Sequence, residues 1–170
     1  MKALLIVDGY NVIGAWPEAM KNGWSVEESR DRLLHALQDY GGYTDEEIVL
    51  VFDGYQSDRR VRTEERFGPV TLIYTKHAET ADSYIERLAA ETPRYRQVRV
   101  ATSDGLEQSQ VLSSGAVRLT SRELLRELRH IRSEGAQKGK PRAVQAGKNI
   151  GDVLPVDLVE QLEKMRRGGG

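Results

Sequence analysis

Apolar positions in this chain come in two patterns. Lys2–Val7, Ile48–Phe52, Val70–Tyr74 and Gln97–Ala101 are short, nearly continuous runs, as expected of strands covered on both faces. Val26–Tyr40 instead recurs at helical spacing, with Leu33, Leu34 and Leu37 on one stripe. Thr80–Ala90, Leu106–Ser113 and Ser121–Arg132 also read as helices, and a short strand is expected near Ala116–Leu119. The stretch between the first run and Val26, with Trp16-Pro17, reads as loop, and SDRRVRTEERFGP (57–69) as a polar, Arg-rich connection. Strands alternating with helices predict βαβ units, and so a three-layer α/β/α fold around a mostly parallel sheet. From Ser133 to Asp152 the periodicity stops in favour of Gly, Lys, Gln and Ala, the pattern of a flexible basic arm. A short helix at Pro155–Met165 precedes the terminal RRGGG. The expected organisation is a domain over 1–132, followed by arm and helix over 133–170.

Two of the buried runs end alike. LLIVDGYNVIG (Leu4–Gly14) and IVLVFDGYQ (Ile48–Gln56) each deliver an aspartate at the strand tip. In an open parallel sheet, ligands bind beyond the carboxyl ends of the strands. Asp8 follows the first strand, Asp53 the second and Asp104 the fourth, while Asp82 opens the helix after the third. Four acids from distant parts of the chain therefore converge on one edge. Singly, each has a plain explanation. Asp53-Gly54 suits a turn, Asp104 with Glu107 suits a capping box, and Asp82 suits a helix dipole. Asp82 also falls, by helical spacing, on the face of Ile85 and Ala89, which should pack inward. Asp8 resists the hairpin explanation, because YNVIGAWPEAM does not read as a partner strand. Clustered carboxylates repel, and a divalent cation removes that cost.

Composition narrows the chemistry. The 170 residues contain no cysteine, which removes thiol nucleophiles and Cys-type zinc sites. The three histidines, His35, His77 and His130, have no ligand spacing, so a metal must be held by oxygen, as suits Mg²⁺ or Mn²⁺. No Ser-His-Asp set, P-loop or HExxH motif occurs. The N-terminal apolar run is too short for a signal peptide and nothing reaches membrane-span length, so a cytoplasmic protein with no membrane partner is expected. A net charge of −1 argues against indiscriminate coating of nucleic acid and leaves room for a local basic face.

VDGYN (Val7–Asn11), GAW (Gly14–Trp16), VFDGY (Val51–Tyr55), TAD (Thr80–Asp82), ATSD (Ala101–Asp104) and SRELLREL (Ser121–Leu128) together resemble the NYN domains, relatives of the PIN nucleases, and within them the YacP-like branch. The resemblance implies a PIN-like fold and a Mg²⁺- or Mn²⁺-dependent endoribonuclease that cuts single-stranded RNA, with mRNA at the ribosome as the implied setting. It carries catalytic and metal roles onto Asp8, Asp82 and Asp104, with Asn11 supporting; Asp53 joins them as the fourth acid of the edge. A non-catalytic PIN-like module that binds RNA or ribosomes is the alternative, and retention of all four acids favours the enzyme. A haloacid-dehalogenase-type phosphatase would want an acid where Tyr10 stands.

RNA contacts are expected from several directions. Tyr10, Trp16 and Tyr55 lie near the strand tips and offer stacking surfaces. Ser103, with Thr102, and Lys76 follow strands at the active edge. On the last long helix Arg122, Arg126 and Arg129, joined by Arg132 and by Arg118 should the helix start early, fall on a stripe apart from Leu124, Leu125, Leu128 and Ile131. The arm beyond adds Lys138, Lys140, Arg142 and Lys148.

Overall fold

A computed structural model describes residues 1–54, 58–102 and 114–138, with 134–138 described by backbone alone. Met1–Leu128 forms one compact unit and Arg129–Gly170 a second. The chain runs β1 (Leu4–Asp8), α1 (Gly9–Gly14), α2 (Pro17–Lys21), α3 (Val26–Thr44), β2 (Glu47–Phe52), β3 (Thr63–Phe67), β4 (Val70–Tyr74), α4 (Ala81–Glu91), β5 (Val98–Thr102), β6 (Val117–Thr120) and α5 (Ser121–Lys138). The expected helices at Leu106–Ser113 and Pro155–Met165 lie outside the described residues.

One sheet takes the strand order β3-β4-β2-β1-β5-β6. Every pairing is parallel except the β3–β4 hairpin. Alternation along the strands divides the apolar residues between two faces. Leu4, Ile6, Val49, Val51, Ile73 and Val100 pack with Ala81, Ile85 and Ala89 of α4. Leu5, Val7, Ile48, Leu50 and Phe52 point the other way and are all buried. On that side Gly41 of α3 lies against Ile48, and Gly9 of α1 lies against Phe52. The three layers expected from the alternating runs are therefore present, with the sheet in the middle.

Three differences from the expected elements have physical causes. The Arg-rich connection contains β3: TEERF is too polar to read as a strand, and β4 recruits it as an exposed edge through five register pairs from Thr63↔Tyr74 to Phe67↔Val70. YNVIG is not loop but α1, which follows β1 without a break, and Pro17 then starts α2 at its first turn. The segment expected as arm from Ser133 is helical to Lys138, because α5 continues past its apolar stripe. No helix among the described residues is long and apolar enough to cross a membrane.

Candidate metal centre at the carboxyl edge of the sheet

Strand order fixes the place. From β1 the chain builds outward through β2 and β4, then crosses to the other side of β1 for β5 and β6. The crevice between the tips of β1 and β5 is the topological switch point, where α/β sheets bind ligands. Asp8 ends β1, Thr102 ends β5, and the Thr102 hydroxyl donates to Asp8 Oδ2 at 3.2 Å across that crevice. Burial pushes the Asp8 carboxyl up from its ordinary value. Thr102 and the Asn11 backbone N–H act in the opposite sense, and the charges of Asp82 and Asp53 push it further up. Asp8 also precedes α1 as its N-cap residue, but its side chain makes no full capping bond there.

Asn11 and β5 are tied through Ser121, the first residue of α5, which is fully buried. Ser121 Oγ stands 2.9 Å from Asn11 Oδ1 and 2.9 Å from the Thr102 carbonyl. One hydroxyl proton cannot serve two acceptors. Turning the Asn11 amide resolves this: Nδ2 then donates to Ser121, whose proton goes to Thr102. α5 itself begins with a reciprocal cap, in which Glu123 N–H donates to Thr120 Oγ1 (3.0 Å) and Thr120 N–H to Glu123 Oε1 (2.8 Å).

Asp53 is not a bare turn residue. Its Oδ2 accepts the N–H of Ala81, the first residue of α4, at 3.2 Å, while Thr80 caps the same helix through Ser83 N–H. Thr75 draws the strand tips together, taking Gly54 N–H at 2.7 Å and donating to the Glu79 carbonyl at 2.8 Å. Buried Glu79 receives Arg62 through two nitrogens (3.2 and 2.6 Å), Arg87 (3.1 Å) and the Lys76 N–H (3.3 Å). Those guanidinium groups hold its carboxyl down at about 2. The same loop carries Ala78 at φ 67, a strained position that this clamp secures. Sequence reasoning misses both Thr75 and Glu79; an acid in a polar loop looks solvated until its two arginine partners are known.

Asp82 departs from the helical-face expectation. The buried stripe of α4 is Ala81, Ile85 and Ala89; Asp82 sits one position round from it and is exposed. Its charge nonetheless reaches Asp8. Asp104 and Ser103 lie outside the described residues, as does Tyr55. Tyr10 packs on Phe52, and Trp16 packs edge-on against Trp24 (5.2 Å) in a small cluster of its own. Lys76 and His77 are exposed in the β4–α4 loop. Arg118 is corrected: it belongs to β6, not α5, and pairs with Glu86 at 3.5 Å. Arg122, Arg126 and Arg129 are exposed, while Leu124, Leu125 and Leu128 are buried, as the stripes required. Glu123 is occupied in its cap, and Glu127 turns to Arg99 and Tyr40.

Donor chemistry at the edge suits a hard divalent cation: Asp8, Asp53 and Asp82 offer only oxygen, and their mutual repulsion is what a cation would relieve. Among the described residues, no three His, Cys, Asp or Glu side chains form a complete cage.

The family model for the YacP-like NYN domain matches residues 5–167. The chain belongs to the YacP-like NYN family. It is 38% identical to the protein YacP of Bacillus subtilis (strain 168) over 170 residues, covering 97% of each. The crystal structure of Bacillus subtilis Rae1 (YacP) is similar, with a TM-score of 0.66, 35% identity and coverage of 99% of this chain and 97% of that one. A point variant of the same protein gives a TM-score of 0.62 at 36% identity, covering 98% and 96%. NYN domains belong to the PIN-like nuclease superfamily, whose members generally use divalent metals, so family and fold give this chain a nuclease-like, RNA-related role.

Proposed function

We propose that this YacP-like NYN protein is an endoribonuclease that uses Mg²⁺ or Mn²⁺ to cut single-stranded RNA, acting on mRNA in a ribosome-associated, cytoplasmic setting. The observation that carries the proposal is Asp8 at the switch point, bonded across it by Thr102 and repelled by Asp53 and Asp82. Asp8, Asp53, Asp82 and Asp104 would hold the metal, and Asp8, Asp82, Asp104 and Asn11 would form the catalytic set. When bound there, a divalent cation would supply Lewis-acid charge at the phosphodiester and lower the pKa of water so that hydroxide is available as nucleophile near neutral pH. The chain's own residues do the positioning. Thr102 fixes the rotation of the Asp8 carboxylate, and the Asn11 N–H steadies its charge. Ser121 orients the Asn11 side chain. The bond from Ala81 N–H sets Asp53 beside the start of the helix that carries Asp82. Tyr10, Lys76, Ser103, Arg122, Arg126 and Arg129 guide the RNA.

The test is cleavage of an end-labelled, unstructured RNA by metal-stripped protein, alone and with translating ribosomes. Internal cuts that require Mn²⁺ or Mg²⁺ and stop with EDTA support the proposal. Full cleavage in EDTA overturns the metal role. RNA or ribosome binding without any cleavage leaves the non-catalytic module.

A further inference from the structure

We propose that a nucleotide-stacking subsite lies beside the carboxylate edge, built from Tyr10, Phe52 and Tyr74 with Arg30 and Arg59, and that it holds an unpaired nucleotide flanking the cleaved phosphate. This rests on the ribonuclease reading above and adds to it a surface on the side of the sheet away from α4. Phe52 and Tyr74 end neighbouring strands as register partners, and their rings stack at 5.5 Å with 26° between planes. Tyr10 leans on Phe52 at 4.7 Å. Phe52 is buried, whereas Tyr10 and Tyr74 are half-buried. The row abuts the metal edge directly, because the Phe52 ring packs against Gly9, the residue after Asp8.

Two guanidinium groups serve this row. Arg30 reaches from α3 to donate to the Tyr10 hydroxyl at 3.1 Å. Arg59 lies over the Tyr74 ring, 4.7 Å from its centre. Arg30 at Tyr10 and Arg59 at Tyr74 thus border the same aromatic row. Arg30 is partly desolvated, and among the described residues its guanidinium donates to the Tyr10 phenol oxygen. A guanidinium held that way keeps donors suited to phosphate. Glu27 and Asp31 also stand near, so the patch is not a general anion trap. Its distinguishing feature is an aromatic face combined with guanidinium donors, which matches a base joined to its phosphate rather than a free anion. Arg59 covers the Tyr74 face as a planar group, and an incoming base can take that position while Arg59 turns to the backbone.

The test uses a fluorescent, unstructured RNA of about ten nucleotides, sized to a single-strand site. Binding to metal-free protein is measured by anisotropy across a salt series, and cleavage is measured with Mn²⁺. Tyr74→Leu is expected to weaken binding and raise KM about tenfold, the loss of one base–aromatic stack, with Tyr74→Phe restoring both. Arg30→Gln/Arg59→Gln is expected to weaken binding and make the slope of log affinity against log salt shallower by about 1.4, for two phosphates no longer neutralised. Both effects should fall in KM rather than kcat. If wild-type protein cleaves and these variants bind and cleave as it does, the subsite is wrong and the ribonuclease reading survives. If wild type binds but does not cleave, and the variants lose binding, the ribonuclease reading falls and the row remains only as a nucleotide-binding surface, without the role beside a cleaved phosphate.

Discussion

The ring of Phe52 fills the space that a β-carbon on Gly9 would need: such an atom would lie 2.4 Å from Phe52 Cε1. Gly9 is not among the glycines with positive φ, so it is there for close approach and not for a turn. Phe52 cannot retreat, since it is buried between Tyr10 and Tyr74. Gly9→Ala should therefore cost about 2 kcal/mol, as overpacked cores do. Phe52→Leu in the same chain should return part of that loss. Urea midpoints of the two variants check this; an unchanged midpoint for Gly9→Ala would refute the close-approach explanation.

Ser121→Ala should lower stability by about 1–2 kcal/mol, because the buried Thr102 carbonyl and the Asn11 amide both lose a partner. Cleavage should fall further than stability, since the released Asn11 no longer keeps one orientation. A double-mutant cycle with Asn11→Ala separates the two effects. Strong non-additivity in kcat is expected, and simple additivity would remove the link between these residues.

Glu79→Gln should destabilise by about 2 kcal/mol, a figure reduced because Arg62 and Arg87 are partly solvated. The pH dependence has a definite sign. The Glu79 carboxyl falls from its ordinary 4.5 to about 2 in the folded protein, so the native state favours the charged form. Its contribution is full above pH 4.5 and fades as pH falls towards 2. Urea unfolding of wild type and variant across acid pH should show the gap closing on acidification. A constant gap would rule out the charge as its source.

Much of this is legible in the sequence, for identifiable reasons. Solid apolar runs such as IVLVF can only be buried strands, and their tips mark the ligand edge without knowledge of any contact. β3 is not legible, because TEERF has no apolar alternation and is held by β4 alone. Asp82 falls off its expected face because a spacing of three positions from Ile85 does not fix which side of the buried stripe it lies on. Thr75, Glu79 and Ser121 escape because a polar side chain shows its role only through partners far away in sequence, such as Thr75 with Gly54 or Ser121 with Asn11.

The exposed arginines of α5 should dock RNA or a ribosome. Leu124, Leu125 and Leu128 anchor the helix, which turns the stripe of Arg122, Arg126 and Arg129 towards solvent. Arg122→Ala/Arg126→Ala/Arg129→Ala should weaken binding and make the salt slope shallower by about 0.7 for each phosphate that an arginine neutralises. Binding to both partners across a salt series checks this, and unchanged affinity would reduce the arginines to a solvated surface.

The central claim is that carboxylates at the strand tips hold the metal that cuts RNA. Cleavage of end-labelled single-stranded RNA in Mn²⁺ by Asp8→Asn, Asp82→Asn and Asp104→Asn tests it most directly. Each substitution keeps size and removes the charge that holds a divalent ion. All three should abolish cutting, and Asp8→Asn and Asp82→Asn should unfold at the wild-type urea midpoint or above it, since like-charge repulsion between Asp8 and Asp82 is relieved. Cleavage at the wild-type rate by all three variants would contradict the account.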